Sequence, residues 1–396
     1  MGTAPAGHAK YLYIDCVRGY AILLVIACHV TRAYPELPTL VMRQTSFGWH
    51  GVQLFFLASC LTLMMSWASD VAKSRRDVGA FFLRRLFRIA PAYYVAALAY
   101  YFLFPPAEFD WTQLAFVLGF INGWTPRTMP TVAGQWGVVP GGWSIAVEMM
   151  FYLLLPVIAS VITNLRRSLV FVAVSVGVAL VSNIAFLQIW AAEYSDAAVS
   201  NFLYFWLPNQ LPIFALGTVV YHLIVRANGP QPGRVLTACR RRGNLLAAIC
   251  VVLFAATAHV PLAKYWGEEP IFIPSLFVVA IWFAGFVFGV SSIKPRFFVN
   301  RWVGAVGEVS FSCYLVHWAL LHLLFQNFPD LLGTSAKRYA SLPAYVLGFI
   351  VTAALTVAIS WVTYRLIERP MIALAKRLTA HRSHVPQPTA PTHGSD

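Results

Sequence analysis

Long apolar segments separated by short basic loops run through most of the chain. Segments long enough to cross about 30 Å of hydrocarbon occur at 14–33, 49–67, 86–104, 143–163, 168–190, 202–225, 244–262, 271–290, 304–327 and 343–366. A further apolar run at 111–123 is too short to cross and is bounded by Trp111 and Trp124, which favours an interfacial or re-entrant segment. The pattern therefore predicts an all-α polytopic membrane protein with about ten transmembrane helices.

The distribution of basic residues predicts the side of the membrane that each loop faces. With a cytoplasmic N-terminus, 23 of the 29 lysines and arginines fall in inside loops or at inner helix ends. If 111–123 crossed the membrane, every later loop would change sides and the basic run 240–242 would lie outside. The favoured topology therefore has ten crossings and both termini in the cytoplasm.

Composition agrees with a membrane protein and argues against nucleic-acid binding. Of the 396 residues, 59% are hydrophobic and 11% are charged, and the net charge of +14 is spread over short loops. The six cysteines form no Cys-x-x-Cys pair, so no metal site is expected. We expect a membrane domain over 1–376 and a disordered cytoplasmic tail over 377–396, which is rich in Pro, Ser, Thr and His.

Ionisable residues lie inside the first apolar segment. If this segment is helical, Asp15, Arg18 and His29 share one face, with His29 about 16 Å further along than Arg18. Charged groups within a membrane are costly and usually face a protein-lined cavity, so this face is a candidate functional site. The structural alternative is an Arg18 that snorkels to the membrane edge and a His29 that only hydrogen-bonds in packing.

Two arginines lie one helical turn apart at the cytoplasmic end of the third span. Arg84 and Arg88 present two guanidinium forks on one face, which suits phosphate oxygens. Arginines that merely contact lipid headgroups would show the same pattern. Phosphate binding and lipid anchoring therefore both remain open at this position.

Glu148 is the only carboxylate well inside a predicted span, and Ser144 precedes it by one turn. By the predicted boundaries, Glu148 and His29 can share a depth, where the carboxylate would fix the tautomer of the imidazole and raise its basicity. A protonated Glu148 bonded to a neighbouring helix is the structural alternative. The sequence thus offers a carboxylate partner for His29.

Other polar and aromatic residues are compatible with either function or packing. Tyr314 and His317 lie a turn apart in the ninth span, where interhelical hydrogen bonds would give the same pattern. Trp111, Trp124 and Trp136 of the 105–142 loop suit an outward-facing acceptor groove, but interfacial belts use the same residue type.

Together these stretches resemble the acyltransferase-3 family of integral membrane proteins, from Asp15 to Pro370. The family's motifs are matched by Arg18 and His29 (Arg-x10-His), Arg84 and Arg88 (Arg-x-x-x-Arg), Trp143, Ser144 and Glu148 (Trp-Ser-x-x-x-Glu), Tyr314 and His317 (Tyr-Leu-x-His), and 368–370 (Glu-Arg-Pro). Two positions depart from the family pattern. Gln53 stands where Asp is common, and Cys60 stands where Gly is common.

The resemblance implies transfer of an acyl group, most often acetyl, from cytoplasmic acyl-coenzyme A to a hydroxyl of a glycan or glycolipid outside a bacterial inner membrane. Acyl-coenzyme A would be a donor substrate, with no permanently bound cofactor. The implied roles are catalytic for His29, Glu148, Arg18 and Asp15, donor-binding for Arg84, Arg85 and Arg88, and substrate-binding for Trp143, Ser144, Tyr314 and His317. His29 would act as a general base or as an acyl carrier.

Two other function classes fit part of the pattern. A proton-coupled transporter of a small anion or glycolipid would use Asp15, His29 and Glu148 as a proton relay. An enzyme that uses lipid-linked sugars in another reaction would be expected to show clustered acidic metal ligands at the outer surface. Glu268 and Glu269 are the nearest candidates for such a cluster.

Overall fold

The computed structural model describes residues 12–72, 77–129, 138–269, 272–292, 297–334 and 341–382, and within these ranges it is helical without a β-strand. The helices are α1 (Leu12–Thr31), α2 (Thr39–Ser46), α3 (Gly51–Ala72), α4 (Val78–Leu103), α5 (Trp111–Leu118), α6 (Gly142–Val161), α7 (Leu165–Ile189), α8 (Asp196–Phe205), α9 (Leu207–Ala227), α10 (Arg234–Arg241), α11 (Gly243–Thr257), α12 (Ser275–Val290), α13 (Arg301–Glu308), α14 (Ser310–Asn327), α15 (Pro329–Leu332), α16 (Leu342–Thr363) and α17 (Arg369–Arg382). Trp136 lies outside the described residues.

Seven candidate membrane spans in the described part of the chain are long and apolar enough to cross, and the bent pair α13 and α14 gives an eighth. The predicted spans 244–262 and 271–290 correspond to α11 and α12, which have only 15 and 16 residues. At 1.5 Å per residue each reaches about 23–24 Å, less than the roughly 30 Å of a hydrocarbon core. An all-helical membrane protein is therefore supported, whereas the predicted count of ten is not confirmed.

The predicted span 304–327 is not one helix. Its first part belongs to α13, and α13 and α14 meet at an angle of 76°. Helix α13 packs across the start of α1, where a Cβ atom on Gly307 would lie 1.7 Å from the carbonyl oxygen of Asp15. Only glycine permits this approach, and the chain must turn after Glu308 to continue into α14.

Two shorter segments also bear on the predicted architecture. Helix α5 has eight residues, about 12 Å, so the apolar run at 111–123 does not form a crossing helix. Beyond α16 the chain passes through a π-helical turn at Tyr364–Glu368 and continues as α17 to Arg382. Helix α17 therefore extends into the predicted tail 377–396, whose remainder lies outside the described residues.

Helix α1 lies at the centre of the helical bundle. It packs against α3, α13, α14 and α16, and its side chains Ala21, Ile22, Ile26 and Val30 are fully buried. Arg18 and His29 are half-buried on the same helix. The ionisable face of α1 is consequently surrounded by protein, as expected for polar groups within a membrane domain.

Candidate active site

His29 and His317 form a hydrogen-bonded pair between α1 and α14. The Nδ1 atom of His29 lies 2.9 Å from Nε2 of His317, and the planes of the two rings differ by 4°. His317 is fully buried and His29 is half-buried. The structure thus joins two residues that the sequence analysis selected separately.

The partners of His317 determine which nitrogen of His29 can act as a base. Nδ1 of His317 lies 2.7 Å from the carbonyl oxygen of Tyr314 and 3.2 Å from that of Cys313. Because carbonyl oxygens only accept hydrogen bonds, this nitrogen carries the proton. Nε2 of neutral His317 is then an acceptor and receives the Nδ1 proton of His29. The lone pair of neutral His29 is therefore on its own Nε2.

Trp318 covers the His29 ring and was not selected from the sequence. The centroids of the two rings are 4.5 Å apart, with an interplanar angle of 40°. The guanidinium carbon of Arg32 lies 5.4 Å from the Trp318 ring. Spacing gave no signal for Trp318 beyond its position next to His317, because the contact with His29 depends on how α1 and α14 pack.

Tyr314 and Ser144 meet at the start of α6. The Ser144 hydroxyl donates to the Tyr314 hydroxyl at 2.9 Å, and the Tyr314 hydroxyl donates to the carbonyl oxygen of Gly141 at 3.0 Å. Gly141 has a φ of +78°, and a Cβ atom there would lie 2.7 Å from the Tyr314 hydroxyl. Glycine is therefore required both by the backbone conformation and by the approach of Tyr314.

A cavity of about 60 Å³ lies beside Tyr314. Its polar lining includes Arg18, Ser59, Arg88, Ser144, Glu148 and Tyr314, and most of its apolar lining is phenylalanine and isoleucine. Neither His29 nor His317 lines it. The Tyr314 ring lines the cavity, and its centroid is 5.6 Å from that of His317.

Glu148 is not the partner of His29. Its Oε1 accepts hydrogen bonds from the Ser59 hydroxyl, at 2.6 Å, and from the Tyr152 hydroxyl. The expectation that Glu148 fixes the tautomer of His29 is therefore wrong, and His317 makes that contact. No hydrogen bond among the described residues joins His29 to Glu148, so the two side chains do not form a direct proton-relay contact. Glu148 instead faces the cavity that Arg18 lines.

Arg18 reaches from α1 towards α3. Its Nη2 donates to the Thr62 hydroxyl at 3.2 Å, and its side chain lines the cavity. Asp15 lies three residues earlier on α1, about one helical turn away. The structure therefore keeps Asp15 near Arg18, while His29 lies towards the other end of the helix.

The three predicted donor-binding arginines of α4 have different surroundings. Arg88 lines the cavity, whereas Arg84 forms a 2.7 Å ion pair with Asp70 of α3. The guanidinium carbon of Arg85 lies 5.7 Å from the Phe81 ring, and its Nε is buried without a hydrogen-bond partner among the described residues. Only Arg88 therefore shares the cavity with Arg18 and Glu148.

Trp143 is half-buried in an aromatic cluster. Its ring centroid lies 4.3 Å from that of Phe205, and Phe56 and Tyr204 contact it edge-on. Trp111 and Trp124, which suit an acceptor groove by sequence, are exposed. The structure thus shows that Trp143 packs against other aromatic rings, while its contact with substrate stays a prediction.

Gln53, one of the two departures from the family pattern, is fully buried in a polar network. Its amide nitrogen donates to the Tyr204 hydroxyl at 3.1 Å and to Oε1 of Gln210 at 3.2 Å. Its own Oε1 lies 3.3 Å from Nδ1 of His50. A neutral amide fits here because it supplies both a donor and an acceptor.

A family model described as an acyltransferase domain matches residues 11–365. The chain belongs to the acyltransferase-3 family. The match spans every residue of the site described above, from Asp15 to Trp318, so the acyltransferase-3 assignment rests on the same part of the chain as the geometry.

Relatives of this acyltransferase-3 chain are distant. The O-acetyltransferase OatA of Staphylococcus aureus strain NCTC 8325 is 22% identical over 370 residues, which cover 90% of this chain and 56% of the relative. A protein of strain MRSA252, provisionally named an O-acetyltransferase, is 23% identical over 392 residues, which cover 94% of this chain and 59% of the relative. The chain therefore spans less than two thirds of the length of these relatives. No solved structure matches it.

Proposed function

We propose that the chain is a membrane O-acyltransferase. It would move an acyl group, typically acetyl, from cytoplasmic acyl-coenzyme A to a hydroxyl of a glycan or glycolipid on the opposite side of the membrane. The observation that carries this proposal is the His29–His317 pair, which puts the free lone pair of His29 on Nε2. Family membership supports acyl transfer, and the names of the relatives support an oxygen acceptor.

In the general-base route, Nε2 of His29 removes the proton of the acceptor hydroxyl as the oxygen attacks the thioester carbonyl carbon. The carbon–sulfur bond then breaks, and the imidazolium returns the proton to the departing thiolate. His317 accepts the Nδ1 hydrogen bond throughout, so it holds the ring in place and stabilises the positive charge that His29 acquires.

In the carrier route, Nε2 of His29 attacks the thioester carbonyl, the coenzyme A thiolate leaves, and the Nδ1 proton moves to His317. The acceptor oxygen then displaces the imidazole, its proton goes to the thiolate, and the proton on His317 returns to His29. Rapid quenching followed by mass spectrometry distinguishes the two routes. An acyl group on the His29 peptide supports the carrier route, and its absence during turnover supports the base route.

On the donor side, the α4 arginines would bind the phosphates of acyl-coenzyme A. Planar guanidinium groups suit phosphate oxygens, and Arg84, Arg85 and Arg88 lie on consecutive turns of one helix. A cavity of about 60 Å³ does not hold a nucleotide. The nucleotide would therefore bind near Arg84 and Arg85, its diphosphate would reach Arg88, and only the thioester arm would pass Arg18.

The thioester would meet Tyr314 before it reaches His29, because Tyr314 lines the cavity and contacts His317, whereas neither histidine lines the cavity. We propose that the Tyr314 ring moves aside when the donor arm enters, which breaks its hydrogen bonds to Ser144 and Gly141. The two carbonyl oxygens that orient His317 belong to the backbone, so this movement leaves the tautomer of His317 unchanged.

We further propose ten crossings of a bacterial inner membrane with both termini in the cytoplasm. In this topology α11 and α12 cross as short helices, and α13 and α14 together make one crossing. The distribution of lysines and arginines supports it. A membrane-impermeant maleimide should label a cysteine placed at Arg127 from outside and a cysteine placed at Arg166 only from inside, in a background without native cysteines. The reverse labelling would refute the topology.

The test of function uses the purified full chain in lipid nanodiscs with isotopically labelled acetyl-coenzyme A and glycans extracted from the cell envelope. We expect labelled ester in the glycan fraction, and no ester with His29→Ala. His322→Ala is the matched control, because His322 is exposed on the same helix as His317. A fully active His29→Ala variant would exclude His29 as base or carrier, and glycan movement without ester formation would favour a transporter.

A further inference from the structure

Arg32, Trp318 and His29 form a stack at the end of α1. Arg32 follows His29 by three residues, so the two lie on the same side of the chain as the helix ends. The guanidinium carbon of Arg32 is 5.4 Å from the Trp318 ring, and that ring also contacts His29, at 4.5 Å between centroids, and His317, at 6.2 Å. One indole ring therefore links an exposed cation to the proposed catalytic imidazole.

The Arg32 guanidinium is available for a ligand. An arginine that lies over an aromatic ring keeps its N–H donors free, since these point outwards in the plane of the group. Within the described residues, the ion pairs involve other arginines, and the Arg32 side chain makes no hydrogen bond. The stack thus orients a fork of donors and leaves it open, which is the arrangement that binds a carboxylate or phosphate.

Position in the fold argues against a role limited to lipid anchoring. An arginine that only contacts lipid headgroups is expected at the perimeter of a bundle, whereas α1 is the central helix and is surrounded by α3, α13, α14 and α16. Residues on both sides of Arg32 are buried, including Val30, Thr31 and Tyr34. Arg32 is therefore an exposed residue with buried residues before and after it, three positions beyond His29.

We propose that Arg32, held against Trp318, binds a carboxylate or phosphate group of the acceptor and thereby sets the acceptor hydroxyl beside Nε2 of His29. The acceptor is then an anionic glycan or glycolipid. One indole ring separates Arg32 from His29, a distance that one or two sugar units span. This inference rests on the proposed O-acyltransferase function and adds the chemical class of its acceptor.

The first experiment identifies the product. Envelope glycans from cells with and without the chain are compared by mass spectrometry, and the acylated sugar and its neighbours are sequenced. We expect an acidic group on the acylated sugar or on the adjoining unit. A neutral acylated segment would overturn this inference and leave acyl transfer standing, whereas the absence of any acylated product would overturn both.

The second experiment measures the kinetics of Arg32→Gln with the isolated acidic glycan in nanodiscs. We expect KM for the glycan to rise by about tenfold or more, as for loss of a charged hydrogen bond, with KM for acetyl-coenzyme A unchanged. Neutralising the glycan by methyl esterification should weaken wild-type binding by the same factor and leave Arg32→Gln unaffected. Equal responses of the two proteins to esterification would overturn the inference.

Matched variants separate this role from charge and packing. Arg43→Gln removes the same charge from the same side of the membrane, since Arg43 also lies between α1 and α3, and should leave KM for the glycan unchanged. Trp318→Phe keeps an aromatic face and should retain most of the glycan affinity. If Arg32 instead binds a lipid phosphate, Arg32→Gln would lower the Tm in nanodiscs and leave KM for the glycan unchanged, which would overturn the inference.

Discussion

Tyr314 is joined to His317 through both its backbone and its ring. Its carbonyl oxygen accepts the Nδ1 proton of His317 at 2.7 Å, and its ring centroid lies 5.6 Å from the imidazole centroid. The backbone contact fixes the tautomer of His317 and so that of His29, while the side chain lines the same cavity as Arg18 and Arg88. One residue therefore both orients the proposed base and lines the proposed donor cavity.

The first prediction concerns the histidine pair. His317→Ala removes the acceptor for the Nδ1 proton of His29, so neither tautomer of His29 is favoured and the imidazolium loses a partner. We expect kcat for acyl transfer to fall by about 100-fold, within the range usual for general-base catalysis. KM for acetyl-coenzyme A should stay nearly constant, because His317 does not line the donor cavity.

A conservative variant distinguishes this role from packing. His317→Gln keeps a hydrogen-bond acceptor at about the same reach, so we expect it to recover part of the kcat lost in His317→Ala. Steady-state kinetics with labelled acetyl-coenzyme A measure both variants, with His322→Ala as the control. Equal kcat in the alanine variant and the wild type would show that His317 does not orient His29.

The second prediction tests whether the Tyr314 ring limits the access of the thioester to His29. Tyr314→Phe removes the hydrogen bonds to Ser144 and Gly141 but keeps the ring, so the ring moves more easily. We expect faster hydrolysis of acetyl-coenzyme A in the absence of any glycan, because water and the thioester then meet His29 more often. Thiol release measured with a chromogenic disulfide reports this reaction.

Tyr94→Phe is a suitable control for Tyr314→Phe. The Tyr94 hydroxyl donates to the Leu118 carbonyl oxygen at 2.8 Å on an exposed part of α4, away from the cavity. This variant should hydrolyse acetyl-coenzyme A at the wild-type rate. An unchanged rate in Tyr314→Phe as well would mean that the tyrosine does not limit access to His29.

The third prediction concerns recognition of the donor. If Arg88 contacts a phosphate of acyl-coenzyme A, Arg88→Ala should raise KM for acetyl-coenzyme A by about tenfold or more, as expected for a charged hydrogen bond. Acetyl-pantetheine has the same thioester arm but no phosphate, so its KM should change little. The ratio of the two KM values isolates the phosphate contact.

Arg167→Ala serves as the control for donor binding, because Arg167 is an exposed arginine whose guanidinium donates to the Val161 carbonyl oxygen outside the cavity. It should leave both KM values unchanged. If Arg88→Ala affected acetyl-pantetheine and acetyl-coenzyme A equally, Arg88 would act on the thioester arm or on packing and not on phosphate.

Much of the helical architecture could be predicted, because long apolar segments and the placement of basic residues are local properties of a sequence. The bend in one predicted span and the exact ends of two helices could not be predicted. The bend between α13 and α14 lies next to the close approach of Gly307 to the backbone of α1, and no periodicity within 304–327 reveals this contact with Asp15. The lengths of α11 and α12 were overestimated because apolar loop residues continue the hydrophobic pattern beyond the helix ends.

The candidate site shows the same division. Spacing along α1 correctly puts Arg18 and His29 on one helix, and the turn that separates Tyr314 from His317 is also visible in the sequence. The hydrogen-bond partner of His29 depends on which helices pack against α1. Predicted depth in the membrane favours Glu148 as that partner, whereas the packing of α14 supplies His317. Contacts across 288 residues, such as His29 with His317, depend on tertiary packing that no local pattern contains.

The last prediction tests the position of Glu148. Its 2.6 Å hydrogen bond from Ser59 joins α6 to α3 beside the cavity, and the acceptor is a carboxylate. Hydrogen bonds between membrane helices contribute about 0.6 kcal/mol on average and up to about 1.7 kcal/mol in double-mutant cycles. A cycle with Ser59→Ala and Glu148→Met, which leaves no acceptor at position 148, should therefore give a coupling of this size in the free energy of unfolding, measured by denaturant titration in mixed micelles. Ser160→Ala is the control, since its hydroxyl donates to the Pro156 carbonyl oxygen within α6, and it should show no coupling to Glu148→Met. Additive effects of Ser59→Ala and Glu148→Met would mean that this hydrogen bond does not hold the two helices together.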